Sequence, residues 1–359
     1  TLSVATTADV TVALSTSGTA TEGTDYTDGS GNLDDIVISA GSTTGTVSFT
    51  PTDDSIYDAT SNETATIAIS SVSGGSATES GTQSVTITIT DNESAPTVTL
   101  TSTASSIDEN SSSTVTITAT LSVATFQDVT VSIDGTGGTG TEGTDFGTVS
   151  DITISAGNTT GTATVDPTDD SVYEGNETAG ISISGVSGGG ASESGSQSVT
   201  ITITENESAP TVTLTVSATS IAENAGSSLT LTATLSGASD EAVTVAIGTS
   251  GTATEGTDYT DGSGVIDDMT ISAGSTTATA NFTPTDDSIY EGSETATVSI
   301  SSVSGADSSI SGGSQSVTIT ITDNESAPTV TLAVSATSIA ENAGSSLTLT
   351  ATLSGVTDS

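Results

Sequence analysis

No side chain of this protein carries a positive charge. Its 359 residues include 45 Asp and Glu and no Lys, Arg or His, which gives a formal net charge of −45. Two carboxylates about 4 Å apart repel by roughly 4 kcal/mol at an effective dielectric constant of about 20. A fold that gathers several carboxylates therefore needs a counter-charge from solution.

One acidic phrase occurs three times, as TDDSIYDATSNE from Thr52, TDDSVYEGNE from Thr168 and TDDSIYEGSE from Thr285. It offers only oxygen ligands, which favour Ca²⁺ over transition metals. Because the chain has no Cys and no His, disulfides, zinc sites and Cys- or His-based catalysis are excluded. The charge opposes attraction to nucleic acid or to an anionic membrane surface, and no apolar run is long enough for insertion into a bilayer. We therefore expect neither partner.

The chain repeats at the scale of whole domains. A Thr-Leu-Ser step recurs at Leu2, Leu121, Leu235 and Leu353, at intervals of 119, 114 and 118 residues. Solenoid repeats have shorter periods, of roughly 20 to 50 residues. We therefore predict tandem domains.

Within each repeat, runs such as SVTITIT alternate Val or Ile with Thr or Ser, as at Ser84, Ser198 and Ser316. This two-residue period predicts half-buried antiparallel strands, and no segment shows a helical period. Turn residues between the runs are typical of a β-sandwich. The predicted fold class is all-β, as tandem antiparallel sandwiches without significant helix.

Ser-Ala-Pro steps mark the predicted domain starts, because proline suits the first residue of a strand. The prolines of these three steps are Pro96, Pro210 and Pro328. The predicted domains are residues 1–93, which lack their first strands, 94–207 and 208–325, which are complete, and 326–359, which supply the first strands of a further domain. These are called the first, second and third repeats and the C-terminal segment below.

Several ordered motifs recur at consistent spacing. ENAG occupies residues 223–226 and 341–344, GTATEGTDY occupies residues 18–26 and 251–259, and each repeat closes on Asp-Asn-Glu or Glu-Asn-Glu. Together with the acidic phrase, they make each repeat resemble a Calx-beta domain over nearly its full length. The resemblance implies an Ig-like sandwich whose loops bind Ca²⁺ at one end.

The same resemblance implies one or two Ca²⁺ per repeat and a set of ligands for each. In the third repeat these are Glu223, Asp258, Asp286, Asp287, Glu291, Glu294, Asp323 and Glu325, with the carbonyl oxygen of Ile289. In the second repeat they are Glu109, Asp145, Asp169, Asp170, Glu174, Glu177, Glu205 and Glu207, with the carbonyl oxygen of Val172. In the first repeat they are Asp25, Asp53, Asp54, Asp58, Glu63, Asp91 and Glu93. Glu341 is the matching ligand of the C-terminal segment.

The first repeat departs from this pattern. Asp58 replaces a glutamate, two extra residues precede Glu63, and the leading glutamate is absent. Asn92, Asn206 and Asn324 stand where strong binders of the family carry a carboxylate. Asp, Asn and Gly also form turns, so the motifs have a purely structural reading as well. We expect the first repeat to differ most from the others.

The leading interpretation is a structural or adhesive segment of an extracellular surface filament, stiffened by Ca²⁺ at the domain ends. Residues 326–359 correspond to the strands that residues 1–93 lack, so we expect head-to-tail joining of copies, either within one polypeptide or by strand donation. Neighbouring repeats, cell-surface glycans and other cells are further expected partners.

Two other function classes are weaker. TxT strands such as residues 86–88 suggest an ice- or carbohydrate-binding module, but such rows recur only once per repeat in the sequence. Paired carboxylates also serve glycoside hydrolases, yet the chain has only five Tyr, four Phe and no Trp to line a sugar cleft. We therefore expect no enzyme activity.

Overall fold

The computed structural model describes residues 1–58 and 62–357. Its strands confirm the predicted all-β class, and the described helical structure is a single three-residue 3₁₀ turn at Ser311–Gly313. In the first repeat the strands are β1 (Val10–Gly18), β2 (Tyr26–Thr27), β3 (Ile36–Ile38), β4 (Thr50–Pro51), β5 (Ile56–Tyr57), β6 (Glu63–Ser73) and β7 (Ser84–Ile89).

In the second repeat the strands are β8 (Thr97–Ser102), β9 (Ser106–Asp108), β10 (Val115–Leu121), β11 (Ala124–Thr125), β12 (Val129–Asp134), β13 (Ile152–Ile154), β14 (Thr160–Val165), β15 (Val172–Tyr173), β16 (Glu177–Ser187), β17 (Ser192–Glu193) and β18 (Ser198–Thr204).

In the third repeat they are β19 (Thr211–Val216), β20 (Ser220–Ala222), β21 (Leu229–Leu235), β22 (Ala238–Ser239), β23 (Val243–Gly251), β24 (Tyr259–Thr260), β25 (Met269–Ile271), β26 (Thr277–Pro284), β27 (Ile289–Tyr290), β28 (Glu294–Ser304), β29 (Ser309–Ile310) and β30 (Ser316–Thr322). The C-terminal segment contains β31 (Val330–Val334), β32 (Leu349–Leu353) and β33 (Val356–Thr357).

The chain divides into two compact units. The first comprises residues 1–107, 111–168 and 178–203, and the second comprises residues 108–110, 169–177 and 204–359. Among the described residues, no helix is long or apolar enough to cross a membrane.

The first unit holds two sheets of the second repeat, ordered β14-β10-β8-β17 and β13-β12-β16-β18-β9. Val, Ile, Leu and Ala from alternate positions meet between the sheets, as in β10, where Ile117 and Ala119 are fully buried. The first repeat contributes one four-stranded sheet, ordered β3-β1-β6-β7. Its fully or nearly buried core consists of only a few residues, among them Tyr26 and Ala65.

The second unit holds the third repeat, whose sheets are ordered β24-β26-β21-β19-β29 and β20-β30-β28-β23-β25. The core between them includes Leu231, Ile271 and Phe282, each fully buried. The C-terminal segment forms an antiparallel hairpin of β31 and β32. All residues of these two strands are exposed.

Candidate metal centre

A loop that begins at a glycine with positive φ positions Asp258 in the third repeat. Gly251 has a φ of +130°, and a Cβ atom there would lie 2.0 Å from the carbonyl oxygen of Thr295. The turn that follows is closed by Asp258, whose carboxylate accepts a hydrogen bond from the Thr254 amide at 2.6 Å. Glycine is therefore required at the start of the GTATEGTDY motif, because only glycine fits this backbone without strain.

The third repeat gathers two groups of three carboxylates. Glu223, Asp323 and Glu325 form one group, called the exit cluster because Asp323 and Glu325 follow the last strand of the repeat. Asp258, Glu291 and Glu294 form the other, called the loop cluster. Within each group one oxygen per residue lies within 4.8 Å of the other two. These six residues are six of the eight carboxylates predicted in this repeat.

The second repeat has the same exit cluster, formed by Glu109, Glu205 and Glu207 with oxygens within 4.8 Å of one another. Glu109 is 5% exposed, as Glu223 is 6% exposed in the third repeat. The leading glutamate is buried because it follows a short strand, β9 or β20, that pairs with the last long strand of its own repeat. The matching loop residues are divided between units, with Asp145 in the first and Glu174 and Glu177 in the second.

One carboxylate of each exit cluster also binds the backbone of the acidic phrase. Glu205 accepts hydrogen bonds from the amides of Glu174 and Gly175, at 2.6 and 2.8 Å. In the third repeat Asp323 accepts them from Glu291 and Gly292, at 2.7 and 2.6 Å. Each exit cluster is thereby tied to the acidic phrase of its own repeat.

These contacts separate the pKa values within a cluster. Burial raises the pKa of Glu109 to about 7, and the charge of Glu205 and a hydrogen bond with it act in the same direction. Burial acts to raise the pKa of Glu205 as well. Amide hydrogen bonds from Glu174 and Glu207 outweigh burial and hold this pKa below its ordinary value. The arrangement thus keeps one carboxylate charged and makes it costly to charge the next.

The third repeat shows the same division. Burial raises the pKa of Glu223, together with the nearby charges of Asp287 and Asp323. Burial likewise raises the pKa of Glu325, with a hydrogen bond to Asp323. Despite its own burial, Asp323 has a lowered pKa because it accepts several amide hydrogen bonds.

The aspartate pair of the acidic phrase has two roles. The second member of each pair forms an Asx turn: Asp54, Asp170 and Asp287 accept the amides of Ile56, Val172 and Ile289, at 2.7, 2.7 and 2.6 Å. The first member lies beside the exit cluster. Asp169 accepts a long hydrogen bond of 3.4 Å from the side-chain amide of Asn206, and Asp286 adds negative charge to the surroundings of Glu223 and Glu325.

In the first repeat a single cleft gathers the predicted carboxylates. Asp91 accepts the amide of Asp58 at 2.8 Å, as Asp323 accepts the matching amide in the third repeat. Among the described residues of this repeat, no three ligand oxygens form a group as tight as the exit clusters. The seven that line the cleft are Asp25, Asp53, Asp54, Asp58, Glu63, Asp91 and Glu93. Glu341 lies in the C-terminal segment and is exposed.

The exit clusters fit a hard cation. They present oxygen ligands only, and one carboxylate oxygen in each, Oε2 of Glu207 or of Glu325, is buried without a hydrogen-bond partner among the described residues. A buried carboxylate oxygen without a partner is costly, and a bound Ca²⁺ would satisfy it. Glu109, Glu205 and Glu207 would hold the ion in the second repeat, and Glu223, Asp323 and Glu325 in the third.

Other carboxylates serve the fold instead. Asp35, Asp151 and Asp268 accept the amides of Leu14, Ile133 and Ile247 at the β-bulges of β1, β12 and β23. Asp28 and Asp261 close tight DGSG turns by accepting amides two and three residues ahead. These residues have protein partners that account for their positions.

The apolar dipeptide within each acidic phrase has a contact that was not predicted, besides the expected ligand role of the Ile289 and Val172 carbonyl oxygens. It forms a two-residue parallel ladder with the next repeat or segment, and the three ladders pair β5 with β11, β15 with β22, and β27 with β33. In the second unit, the Asp240 amide also donates to the Tyr173 carbonyl oxygen at 3.2 Å, and the Tyr173 hydroxyl donates to Asp307 at 3.1 Å. The signal in the sequence that could have indicated this pairing is the Ile-Tyr or Val-Tyr pair inside an otherwise acidic loop.

Three solved structures illustrate the range of similar proteins. CBD12 of CALX1.2 is 15% identical, with a TM-score of 0.28, over 63% of this chain and 99% of that chain. Invasin, a bacterial integrin-binding protein, is 16% identical, with a TM-score of 0.27, over 96% and 60%. The adhesin InvE of Yersinia pseudotuberculosis is 14% identical, with a TM-score of 0.29, over 62% and 58%. At these scores the likenesses support no conclusion about function.

No curated protein matches the chain at a significant level. The family model for the Calx-beta domain matches three consecutive stretches, residues 2–93, 91–207 and 205–325. These stretches cover nearly all of the sequence, and they contain the sandwiches and the carboxylate clusters described above. The chain therefore belongs to the Calx-beta domain family.

Proposed function

We propose that this chain is a structural and adhesive segment of an extracellular surface filament, in which Ca²⁺ stiffens the joints between repeats. The observation that carries the proposal is the double role of the acidic phrase. It supplies carboxylates to the clusters of its own repeat, and its apolar dipeptide pairs with the backbone of the following repeat.

The residues that perform these two roles are neighbours in the sequence. In the second unit Tyr173 pairs with the third repeat, and the next two amides are bound by Glu205 of the exit cluster. A cation held by Glu109, Glu205 and Glu207 would fix the carboxylate that holds this backbone. Without a cation the clustered carboxylates repel one another, which favours opening of the loop. Ion binding and the order of the joint are therefore coupled.

The composition suits such a surface role. With 45 acidic and no basic residues, the chain has no site for a trypsin-like protease. At high ionic strength, screening shortens the range of repulsion between its carboxylates to a few ångströms. Other copies of the chain, neighbouring repeats and cell-surface glycans are the partners we propose for it.

The test uses spin labels on two introduced cysteines, since the sequence has none of its own. Thr162→Cys and Thr279→Cys place labels on exposed strand positions of the second and third repeats. Pulsed electron paramagnetic resonance should give a narrow distribution of distances between the two labels in Ca²⁺ and a broad one in EDTA. Glu109→Gln should keep the distribution broad in Ca²⁺, whereas Asp261→Asn, in a DGSG turn, should not. Equal widths in Ca²⁺ and EDTA would contradict the proposal.

A second candidate function rests on the outward faces of the sandwiches. In the second repeat Thr118 lies between Thr101 and Thr162, and Thr120 lies between Thr99 and Thr160. The third repeat has similar rows through Thr232 and Thr234. Stacked threonine rows favour an ice- or carbohydrate-binding module more than the sequence alone does. Thermal hysteresis of the purified chain would identify ice binding.

A further inference from the structure

We infer that the turn at Ala306 and Asp307 binds Tyr173 of the second repeat as a latch, which holds the second and third repeats together without a cation. The contact uses no carboxylate of the exit or loop clusters, so it goes beyond the calcium-dependent joint proposed above. All of its residues lie in the second unit. The inference is carried by an unusual backbone, a hydrogen bond and side chains that the second repeat lacks at the matching positions.

The turn that follows β28 has a backbone conformation that favours glycine. In the second repeat the matching turn, after β16, consists of Gly188, Gly189 and Gly190, all with positive φ. In the third repeat Ala306 and Asp307 hold φ values of +50° and +48°. Aspartate tolerates this region better than most residues but less well than glycine. Non-glycine residues persist there where surrounding contacts offset the steric cost.

Two side-chain contacts hold this turn. The Ala306 amide donates to the Glu241 carboxylate at 3.1 Å, and the Tyr173 hydroxyl donates to the Asp307 carboxylate at 3.1 Å. The second repeat has Gly190 at the position of Asp307. The turn of the third repeat therefore presents an acceptor for a tyrosine hydroxyl, and the turn of the second repeat has no side chain there.

A smaller residue in β22 helps Ala306 to fit. In the second repeat, a Cβ atom at Gly189 would lie 2.8 Å from a methyl carbon of Val129 and 2.9 Å from both Cβ and Cγ2 of Thr125. The residue that matches Thr125 in the third repeat is Ser239, which has no methyl group and so removes one of these three contacts. Ala306 is 7% exposed and belongs to the core of the third repeat. The turn and the strand beside it therefore differ together.

Tyr173 contacts the third repeat at three points. It lies in β15, which pairs in parallel with β22, and its carbonyl oxygen accepts the Asp240 amide at 3.2 Å. Its side chain is half-buried and packs against the core that includes Ala306. Its hydroxyl then reaches Asp307. The backbone, the side chain and the hydroxyl of one residue thus bind the same neighbouring repeat.

The joint between the first and second repeats has the ladder without the latch. Tyr57 lies in β5, which pairs with β11, and its carbonyl oxygen accepts the Phe126 amide at 3.2 Å. Within residues 1–58 and 62–357, Tyr57 is not among the half-buried apolar residues that pack against the core of the second repeat. Gly190 offers its hydroxyl no side-chain acceptor. The two joints share the backbone contact and differ in the side-chain contacts.

The two joints should therefore differ when no cation is bound. At both, repulsion among clustered carboxylates favours opening. Between the second and third repeats, the hydrogen bond from Tyr173 to Asp307 opposes this opening, because it must break before Tyr173 can leave the turn. The net contribution of one hydrogen bond raises the ratio of closed to open joints about 2- to 10-fold. The latch thus retains part of the order of this joint, and Ca²⁺ adds to it.

The experiment is amide hydrogen exchange of the full chain in EDTA, measured on a peptide that contains residues 238–240. Tyr173→Phe removes only the hydroxyl and should speed exchange in this peptide about 2- to 10-fold. Asp307→Gly removes the acceptor and supplies the residue that fits the positive φ, so it should have a similar effect. Because both variants remove the same contact, the double variant should exchange no faster than either single variant.

Tyr57→Phe is the matched control, measured on a peptide that contains residues 124–126. It should leave exchange there unchanged, because the second repeat has Gly190 where the third has Asp307. Unchanged exchange in Tyr173→Phe would overturn the inference, as would effects that multiply in the double variant or an equal effect of Tyr57→Phe at its own joint. Since every measurement is made in EDTA, failure of the calcium proposal would leave these results as they are.

Discussion

The first and third repeats carry nearly the same motifs but differ in burial. Phe49 and Phe282 each stack on a tyrosine at a ring-centroid distance of 4.6 Å. Phe282 is fully buried, whereas Phe49 is half-buried and lines an open groove. In the third repeat β21 and β19 extend the sheet beside β26, the strand that carries Phe282. Two strands therefore decide whether the same aromatic pair belongs to a closed core.

The same two strands decide the composition of the acidic cluster. The leading glutamate, Glu223, lies between them in the sequence and joins Asp323 and Glu325. In the first repeat Asp91 and Glu93 occupy the matching positions, and no third carboxylate among residues 1–58 and 62–93 joins them in a group as tight. The comparison teaches that sandwich closure and the exit cluster of the third repeat depend on one segment of chain.

The largest expected effect is on the two phenylalanines. Phe282→Ala should lower the local free energy of unfolding of the third repeat by about 3 to 5 kcal/mol, as for other fully buried phenylalanines. Phe49→Ala should cost clearly less, because its ring loses less buried surface. Amide hydrogen exchange on peptides from each repeat, at concentrations where the chain is monomeric, measures the two values separately. Equal losses would show that the first repeat is closed in solution.

A smaller effect is expected from pH in the absence of calcium. The pKa of Glu109 is raised from about 4.5 to about 7 by burial and by Glu205. The folded state therefore holds this proton more tightly than the unfolded state does. The resulting stabilisation is complete below pH 4.5 and is lost as the pH rises through about 7. Thermal unfolding in EDTA should therefore occur at lower temperature at pH 8 than at pH 5.

Two controls make the pH experiment specific. Glu109→Gln should flatten the decline, because it removes the titrating group. Saturating Ca²⁺ should also reduce it, because the ion then neutralises the charged cluster. Glu205 affects stability in a lower pH range. Because its pKa is lowered in the folded state, it stabilises the fold above its ordinary pKa, and this stabilisation is lost in acid. An unfolding temperature that rises steadily to pH 8 in EDTA would contradict the assignment.

The fold was predictable because the alternation of Val, Ile or Leu with Thr is regular. β10 and β21 each bury every second residue, as the two-residue period requires. The motifs likewise indicated the exit and loop residues, since Glu223, Asp323 and Glu325 do lie together. Whether they bind Ca²⁺ stays a prediction, as do the domain boundaries and the ligand set.

The parts that were not predictable depend on tertiary contacts. The sequence does not show that Glu205 binds the amides of Glu174 and Gly175, because the two segments are about thirty residues apart. It also does not show that the Val172-Tyr173 dipeptide pairs with the next repeat, since a two-residue ladder has no periodicity to detect. The sequence also does not show how many threonines lie side by side, because the cross-strand register, and not the period along one strand, places them in rows.

The most direct test of the account is a calorimetric titration of the full chain with Ca²⁺. The account predicts heat of binding and a higher unfolding temperature in Ca²⁺ than in EDTA. Each bound Ca²⁺ should stabilise the fold by about 2.7 kcal/mol when free Ca²⁺ is 100 times the Kd of its site. A chain carrying Glu109→Gln and Glu223→Gln should lose most of this binding, whereas Asp28→Asn and Asp261→Asn in the DGSG turns should leave it intact. No heat of binding, together with equal unfolding temperatures in Ca²⁺ and EDTA, would contradict it.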